Sequence, residues 1–129
     1  MAKLILITGV GQTKQINLPP HISLVGRAAT NDIVIDMNRV SRVHARIVVD
    51  EDFVSIMDLD SRNGTTVNGV RVISKVLVNG DMIRIGDCDI RFLEGDKTYS
   101  DADALALMTA PAPLEGIGLS SRPQPTAKD

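Results

Sequence analysis

The sequence predicts an all-β domain, and three observations carry that prediction. Its 129 residues contain many short apolar runs, separated at regular spacing by turn residues. The apolar residues are mostly Val, Ile and Leu, with no Trp, two Phe and one Tyr, and β-branched side chains favour strands. The body of the chain shows no helical periodicity. Together these features indicate a β-sandwich or a β-barrel.

The strands are predicted from the apolar runs and the turns from the dipeptides between them. The predicted strands are residues 3–8, 14–18, 22–26, 32–36, 44–50, 53–59, 82–86 and 88–94. The acidic turn Glu51–Asp52 joins the longest pair of runs. Asn63–Gly64, Asn68–Gly69 and Asn79–Gly80 are predicted to form tight hairpin turns, because Asn and Gly both tolerate a positive φ.

A change of composition divides the chain into residues 1–95, a β-sandwich body, and residues 96–129, a flexible tail. Four of the six prolines and many Ala and Ser residues follow Gly95. Such a segment buries too little apolar surface to offset the entropy lost on ordering. Ser100 and Asp103 are spaced as a capping box, which favours a short helix near residues 101–109.

Composition excludes several classes of function. The net charge of −2 and the scarcity of aromatic side chains argue against nucleic-acid binding. A single cysteine, Cys88, and two distant histidines cannot assemble a metal site, and no cofactor motif is present. The apolar run near the N-terminus is too short to span a membrane or to act as a signal peptide, so the expected location is the cytoplasm, with no membrane partner.

Three polar segments between strands carry the side chains that a strand does not need. They are "VGRAATNDIVI" (25–35), "NRVSRVHA" (38–45) and "DSRNGTTVNG" (60–69). Arginine guanidinium groups, a hydroxyl and backbone N–H groups are the donors that suit a phosphate dianion. The alternative is that these arginines only balance nearby aspartates on a solvated surface.

The spacing of these segments favours the phosphate interpretation. Five blocks occur in order, namely Gly26–Arg27, Asn31–Asp32, Ser41–Ala45, Asn63–Thr65 and Val67–Gly69. This series resembles the forkhead-associated (FHA) domain, a phosphothreonine-binding family, over roughly residues 2–95. The resemblance implies an FHA-type β-sandwich of two mainly antiparallel sheets that docks phosphorylated partners in Ser/Thr kinase signalling.

The resemblance also implies roles for individual residues. The expected phosphopeptide-binding residues are Arg27, Ser41, Arg42, Arg62, Asn63 and Arg39. Arg27 is expected to be the main phosphate contact, and Arg39 to read an Asp or Glu three positions after the phosphothreonine. Structural support of the binding loops is expected from Gly26, His44, Gly64, Asn68 and Gly69.

The remaining expectations concern catalysis, partners and regulation. Ser41 and His44 have no third triad member in the sequence, so the chain is not expected to be an enzyme. Thr98 and Thr126 each begin a Thr-x-x-Asp sequence and are candidate phosphoacceptors, so the partner is either another phosphorylated protein, such as a kinase or its substrate, or the chain's own tail. The alternative function is a phosphate-independent assembly module.

Overall fold

The computed structural model describes residues 2–9, 12–95 and 97–109, and these residues form a β-sandwich. The strands are β1 (Ala2–Gly9), β2 (Gln12–Asn17), β3 (His21–Gly26), β4 (Ile33–Val34), β5 (Ala45–Val49), β6 (Val54–Asp58), β7 (Thr65–Val67), β8 (Val70–Val72), β9 (Ser74–Leu77), β10 (Met82–Ile85) and β11 (Cys88–Glu94). One helix, α1 (Asp101–Thr109), follows them. The fold class predicted from the sequence is confirmed.

Two sheets pack face to face. The six-stranded sheet has the order β2-β1-β11-β10-β7-β8, and the five-stranded sheet has the order β4-β3-β5-β6-β9. Neighbouring strands are antiparallel except for the short parallel pair of β3 with β4. The mainly antiparallel arrangement agrees with the sequence prediction.

Alternating side chains of the central strands fill the core between the sheets. In β5 and β6, for example, Ala45, Ile47 and Ile56 are at most 1% exposed, whereas their neighbours along each strand are only partly buried. The period-2 alternation of a strand directs every second side chain inward. Burial of these aliphatic side chains on folding is the main stabilising term, at roughly 1.5 to 3 kcal/mol for each fully buried one.

The three Asn–Gly dipeptides do not all form hairpins. Asn68 and Gly69 have φ values of 53° and 82° and close the two-residue hairpin between β7 and β8, as predicted. Asn63–Gly64 and Asn79–Gly80 instead lie in connections that lead from the five-stranded to the six-stranded sheet. The prediction of hairpins at these two sites is wrong, because a dipeptide specifies local φ but not which strand pairs with which.

Residues 97–109 pack on the outer face of the six-stranded sheet. In α1, Ala104, Leu107 and Met108 are buried against Ile5 and Leu93. The segment before the helix is fixed by hydrogen bonds between the backbone of Tyr99 and the side chain of Gln15, at 2.7 and 3.0 Å. The predicted short helix is therefore present and packs on the sheet, and the flexible tail from residue 96 onward stays a prediction.

Arg91 joins α1 to the sheet. Its side chain is fully buried, and it donates from Nε to the Leu107 carbonyl oxygen at 2.9 Å and from Nη1 to the Gly80 carbonyl oxygen at 2.6 Å. A cation bonded to carbonyls in the last turn of a helix complements the helix dipole.

The rest of the predicted tail, residues 110–129, lies outside the described residues. Within the ranges that are described, no helix has the length and hydropathy needed to cross a bilayer.

Candidate functional site

The loops at one end of the sandwich surround a hollow of about 220 Å³, which we call the loop pocket. Its lining residues are Arg27, Asn38, Arg39, Val40, Ser41, Arg42, Arg62 and Asn63. The lining includes all six residues expected from the sequence to bind a phosphopeptide. Asn38 and Val40 also line it and were not expected.

Close approach of two backbone segments brings Arg27 and Arg42 to the same rim. The N–H of Arg27 donates to the Ser41 carbonyl oxygen at 2.9 Å, and the N–H of Ala28 donates to the Arg42 carbonyl oxygen at 3.1 Å. Gly26 permits this contact, since a Cβ at that position would lie 2.2 Å from the Arg42 carbonyl oxygen. A side chain larger than hydrogen would therefore push the two segments apart.

Asn31 holds the same pair of segments from inside. Its Nδ2 donates to the Arg42 carbonyl oxygen at 2.6 Å and to the Ala28 carbonyl oxygen at 2.8 Å. Only 8% of the Asn31 surface is exposed. Asn31 belongs to one of the five ordered sequence blocks, but no role in the site was expected for it.

Ser41 faces the pocket with its hydroxyl hydrogen available. The backbone N–H of Arg62 donates to Ser41 Oγ at 3.0 Å, so the oxygen acts as an acceptor within the protein. A serine hydroxyl has one hydrogen to donate as well as its lone pairs. The contact therefore joins two pocket loops, and the Ser41 hydroxyl hydrogen has no acceptor among the described residues, so it is available to a ligand.

His44 supports the pocket from behind. It is fully buried; its Nδ1 accepts the N–H of Ser41 at 3.0 Å, and its Nε2 lies 2.9 Å from the Gly64 carbonyl oxygen. Because Nδ1 accepts, Nε2 carries the hydrogen and donates to Gly64. The imidazole thus connects the Ser41 loop to the Asn63–Gly64 loop, and it accepts from the backbone of Ser41 and not from its hydroxyl.

Asp58 organises the turn that carries Arg62 and Asn63. Its carboxylate accepts from the Ser61 hydroxyl at 2.5 Å, the Ser61 N–H at 3.0 Å and the Thr65 hydroxyl at 2.7 Å. Ser61 Oγ in turn accepts the N–H of Gly64 at 2.9 Å. Burial alone would raise the pKa of Asp58, but these hydrogen bonds outweigh it and hold the pKa below its ordinary value.

Asn63 and Arg39 hold each other across the pocket rim. Asn63 Nδ2 donates to the Arg39 carbonyl oxygen at 2.8 Å, and Arg39 Nη2 lies 3.4 Å from Asn63 Oδ1. The guanidinium of Arg39 also pairs with Asp87, with 3.0 Å between Nε and Oδ1. The other three arginines of the pocket, Arg27, Arg42 and Arg62, have exposed side chains that make no hydrogen bond or ion pair within the described part of the chain.

The expected supporting residues fall into two groups. Gly26, His44 and Gly64 touch the pocket loops directly. Asn68 and Gly69 lie at the far end of β7, about 10 Å away along the strand, and Asn68 contacts Asp81 and Met82 instead. Their contacts support the β7–β8 hairpin and its junction with β10.

Only one of the two candidate phosphoacceptors lies in the part of the chain that the structure describes. Thr98 is exposed, in the segment that leads into α1. Thr126 lies outside the described residues. Neither position bears on the geometry of the loop pocket.

Asp58, Ser61 and Asp87 are site residues that the sequence analysis missed. Two signals could have indicated them. An Asp followed three residues later by Ser is a pattern in which the carboxylate bonds the backbone of a turn, as Asp58 does with Ser61. Gly86–Asp87 between two apolar runs is a two-residue hairpin signal, and it places Asp87 at the end of the sandwich that holds the pocket.

The chemistry available in the pocket is binding of an anion. Three guanidinium groups and a hydroxyl hydrogen, none of them paired within the part of the chain that the structure describes, offer charged and neutral donors to a dianion. Over the residues that can be described, no cluster of His, Cys, Asp or Glu could hold a metal ion. The thiol of Cys88 is buried, which raises its pKa to about 11.

Comparison with known proteins agrees with this description. The family model of the FHA domain matches residues 23–86, which include the six expected binding residues. The chain is 37% identical over 100 residues to the ABC transporter ATP-binding/permease protein Rv1747 of Mycobacterium tuberculosis, covering 78% of this chain and 12% of the transporter. It is 36% identical over 100 residues to the glycogen accumulation regulator GarA of the same organism, covering 78% of this chain and 62% of GarA.

The chain therefore spans less than two thirds of the length of these two relatives. A solved structure from a structural and functional analysis of phosphothreonine-dependent FHA domain interactions gives a fuller match. It is 33% identical, with a TM-score of 0.66, and the match covers 74% of this chain and 98% of that one. Sequence and fold thus agree, and the chain belongs to the FHA family.

Proposed function

We propose that the chain is a phosphothreonine-dependent protein-binding module that docks phosphorylated partners through the loop pocket in Ser/Thr kinase signalling. The observation that carries this proposal is a hollow in which three exposed arginines and the hydroxyl hydrogen of Ser41 have no partner among the described residues. Phosphothreonine has a charge of about −1.5 to −2 at neutral pH, which two converging arginines nearly neutralise. The FHA domain is itself a binding module, and the solved FHA structure described above concerns phosphothreonine-dependent interactions.

Each of the six expected binding residues has a role in this proposal. Arg27 is the main phosphate contact, Arg42 adds a second charge, and Ser41 donates its hydroxyl hydrogen. Asn63 holds the ligand main chain beside the phosphothreonine, and Arg62 flanks the threonine methyl group. Arg39 reads an acidic side chain further along the ligand, which the sequence analysis expects three positions after the phosphothreonine.

We infer that the chain acts by binding and not by catalysis. Ser41 and His44 are three residues apart, as a nucleophile and its base can be. However, the Nδ1 of His44 is occupied by the backbone N–H of Ser41, and its Nε2 is occupied by the Gly64 carbonyl. A buried imidazole with both nitrogens bonded to backbone cannot accept the proton of the Ser41 hydroxyl.

We propose that the chain divides near residue 95, as the sequence indicates, and that a helix follows the division. Residues 1–95 hold the complete loop pocket, and residues 97–109 add a packed helix.

A phosphorylated Thr98 or Thr126 would offer the pocket a ligand from its own chain or from a second copy, with a high effective concentration in the first case. We place the interaction in the cytoplasm, where Ser/Thr kinases and their substrates occur.

The test is a titration of the protein with one peptide sequence in three forms: phosphothreonine, phosphoserine and unmodified threonine. We expect binding with a micromolar Kd only for phosphothreonine, because a short peptide must be ordered when it binds to a few loops. Arg27→Ala should abolish that binding, since a hydrogen bond to a charged group contributes about 1.5 to 3 kcal/mol and Arg27 is expected to make more than one.

A control variant separates loss of the site from loss of the fold. Arg84→Ala removes an arginine of β10 that is exposed and lies outside the pocket lining, and it should leave the Kd within about twofold. The alternative function, phosphate-independent assembly, predicts the opposite result. In that case partner binding would persist without phosphate and in Arg27→Ala, and the proposed function would be rejected.

A further inference from the structure

Asp87 lies behind one wall of the loop pocket, in the two-residue turn between β10 and β11. Its Oδ1 is 3.0 Å from Arg39 Nε. The preceding residue, Gly86, has a φ of 57°, and a Cβ there would lie 2.5 Å from the Arg39 carbonyl oxygen. The turn is thus packed against the backbone of Arg39, which places the Asp87 backbone close enough for its carboxylate to reach the Arg39 guanidinium.

Asp87 uses only part of the Arg39 guanidinium. A guanidinium has five N–H donors. Nε contacts Asp87, and Nη2 contacts Asn63 Oδ1 at 3.4 Å; both hydrogens of Nη1 and one hydrogen of Nη2 have no partner among the residues that the structure describes. Arg39 lines the loop pocket and Asp87 does not. The carboxylate therefore contacts Arg39 from outside the pocket, and the remaining donors are available to a ligand.

We propose that Asp87 is a positioning residue for Arg39 and that Arg39, so held, selects phosphopeptides with an acidic side chain at one particular position. This inference rests on the proposed function and adds a determinant of its sequence specificity. A free arginine side chain has many rotamers, and fixing it before the ligand arrives lowers the entropy lost on binding. The ligand class is a phosphothreonine peptide with a second negative charge from Asp or Glu.

The geometry favours positioning over competition. A competitor would have to occupy the same donors as the ligand carboxylate. Asp87 instead occupies Nε, and Nη1 remains unpaired within the described residues. The two roles predict opposite signs, because removing a competitor strengthens the preference for an acidic ligand, whereas removing a positioning group weakens it.

The experiment measures the acid preference, defined as the Kd of an all-alanine phosphothreonine peptide divided by the Kd of the same peptide with one Asp. The single Asp is placed in turn from three residues before to four residues after the phosphothreonine. We expect one position to show a clear preference in the unsubstituted protein, and we expect Asp87→Asn to lower that preference about two- to fivefold, the range of an exposed ion pair. In the background of Arg39→Ala, the same substitution should have no further effect.

A matched control comes from the same hairpin. Arg84 and Asp89 form an ion pair with the same 3.0 Å separation and similar exposure, 52% and 44% compared with 60% and 43% for Arg39 and Asp87. Asp89→Asn removes that pair and one negative charge without touching the pocket. Asp89→Asn should leave the acid preference unchanged. Asp87→Glu keeps the negative charge and should therefore retain more of the acid preference than Asp87→Asn does.

A second measurement does not depend on the peptide. The Nε–H of Arg39 should give an NMR signal that exchanges slowly with water in the unsubstituted protein and in Asp89→Asn, and rapidly in Asp87→Asn.

Phosphate-dependent binding with an unchanged or increased acid preference in Asp87→Asn would overturn this inference alone. No phosphate-dependent binding by the unsubstituted protein would overturn the proposed function and this inference together.

Discussion

The two ends of the sandwich carry opposite charges, and only at one end do polar side chains beneath the surface fix the loops that carry the charges. At the pocket end lie Arg27, Arg39, Arg42 and Arg62. At the other end, which we call the acidic end, Asp50, Glu51, Asp52 and Glu94 surround a hollow of about 250 Å³. The two hollows are similar in volume, about 220 and 250 Å³. Volume therefore does not distinguish them.

What distinguishes them is the layer beneath the charges. Behind the arginines, the buried side chains of Asn31 and His44 and the partly buried side chain of Asp58 bond to the backbone of three separate loops. Three of the four acids at the other end lie on a local hairpin turn, closed by the Asp50 N–H to Phe53 carbonyl bond at 2.9 Å and an Asp50 side-chain bond to the next N–H at 2.8 Å, and Glu94 ends β11. A charged surface becomes a binding site when buried polar groups fix the loops that carry it.

The largest expected effect comes from removing the buried histidine of the pocket end. His44→Ala leaves the Ser41 N–H and the Gly64 carbonyl without partners in the protein interior. Each unsatisfied buried group costs about 1 to 3 kcal/mol, so we expect the free energy of unfolding to fall by roughly 3 kcal/mol or more. Urea denaturation measures this, and a phosphopeptide titration should show loss of binding.

The acidic end supplies a histidine for comparison. His21 lies there, exposed, with a φ of 71°. His21→Asn keeps a residue that tolerates this φ and should change the unfolding free energy by less than about 0.5 kcal/mol. Equal losses in the two variants would mean that the pocket end has no special buried scaffold.

The next effect separates glycines that hold loops together from glycines that only turn the chain. Gly26→Ala places a Cβ 2.2 Å from the Arg42 carbonyl oxygen, so we expect a loss of about 2 to 3 kcal/mol in unfolding free energy and at least tenfold weaker phosphopeptide binding. Gly69→Ala has open space around it and a φ of 82°, so about 1 to 2 kcal/mol is expected, with the Kd unchanged.

Gly69→Ala also tests an expectation from the sequence. Asn68 and Gly69 were expected to support the binding loops, but their contacts lie at the far end of β7. A phosphopeptide Kd that rises by the same factor in Gly69→Ala and in Gly26→Ala would restore the original expectation.

Local signals predicted much of the fold. The strands expected at residues 44–50 and 53–59, with the turn between them, and the hairpin at Asn68–Gly69 depend on neighbours in the sequence, and both were predicted correctly. The hairpins expected at Asn63–Gly64 and Asn79–Gly80 were wrong because the strands on either side of each dipeptide join different sheets. Which sheet a strand joins depends on packing across the sandwich, which a dipeptide does not encode.

The site was predictable to the extent that its residues form an ordered series along the chain. Its buried layer was not, because it depends on the side chains that loop folding brings together. Asp87 is the clearest example. It reaches Arg39, which is distant in sequence, only through the register of β10 with β11 and the packing of Gly86. Acidity and position in a turn gave no indication of that partner.

A smaller, pH-dependent effect tests the buried layer at Asp58. We expect Asp58→Asn to lower the free energy of unfolding by about 2 kcal/mol at pH 7, because hydrogen bonds to a carboxylate are stronger than those to an amide. The pKa of Asp58 is lower in the folded protein than its ordinary value of 3.8. Its stabilisation is therefore complete above pH 3.8 and is lost as the pH falls through the lower folded-state pKa.

The measurement is urea denaturation of both proteins at pH 7 and near pH 3. The difference between them should shrink on acidification as the carboxylate of the unsubstituted protein takes up a proton. Asp52→Asn at the acidic end is the matched control, since that carboxylate is exposed and has no hydrogen bond within the described residues, and it should show little difference at either pH. A difference for Asp58→Asn that stays constant with pH would contradict the role of its charge.

The smallest effect is expected from the charges of the acidic end on phosphopeptide binding. The triple variant Asp50→Asn, Glu51→Gln, Asp52→Asn changes the net charge from −2 to +1 by removing three acids. The strands between the ends are about 13 to 20 Å long, and the Debye length is about 8 Å at an ionic strength of 0.15 M. We therefore expect the Kd to change by less than about twofold at that salt concentration, and the gain in affinity to grow at 0.01 M, where the Debye length is about 30 Å. A large gain in phosphopeptide affinity at 0.15 M would show that the net field of the molecule contributes to phosphate binding as much as the fixed loops do. The two ends would then differ in charge alone.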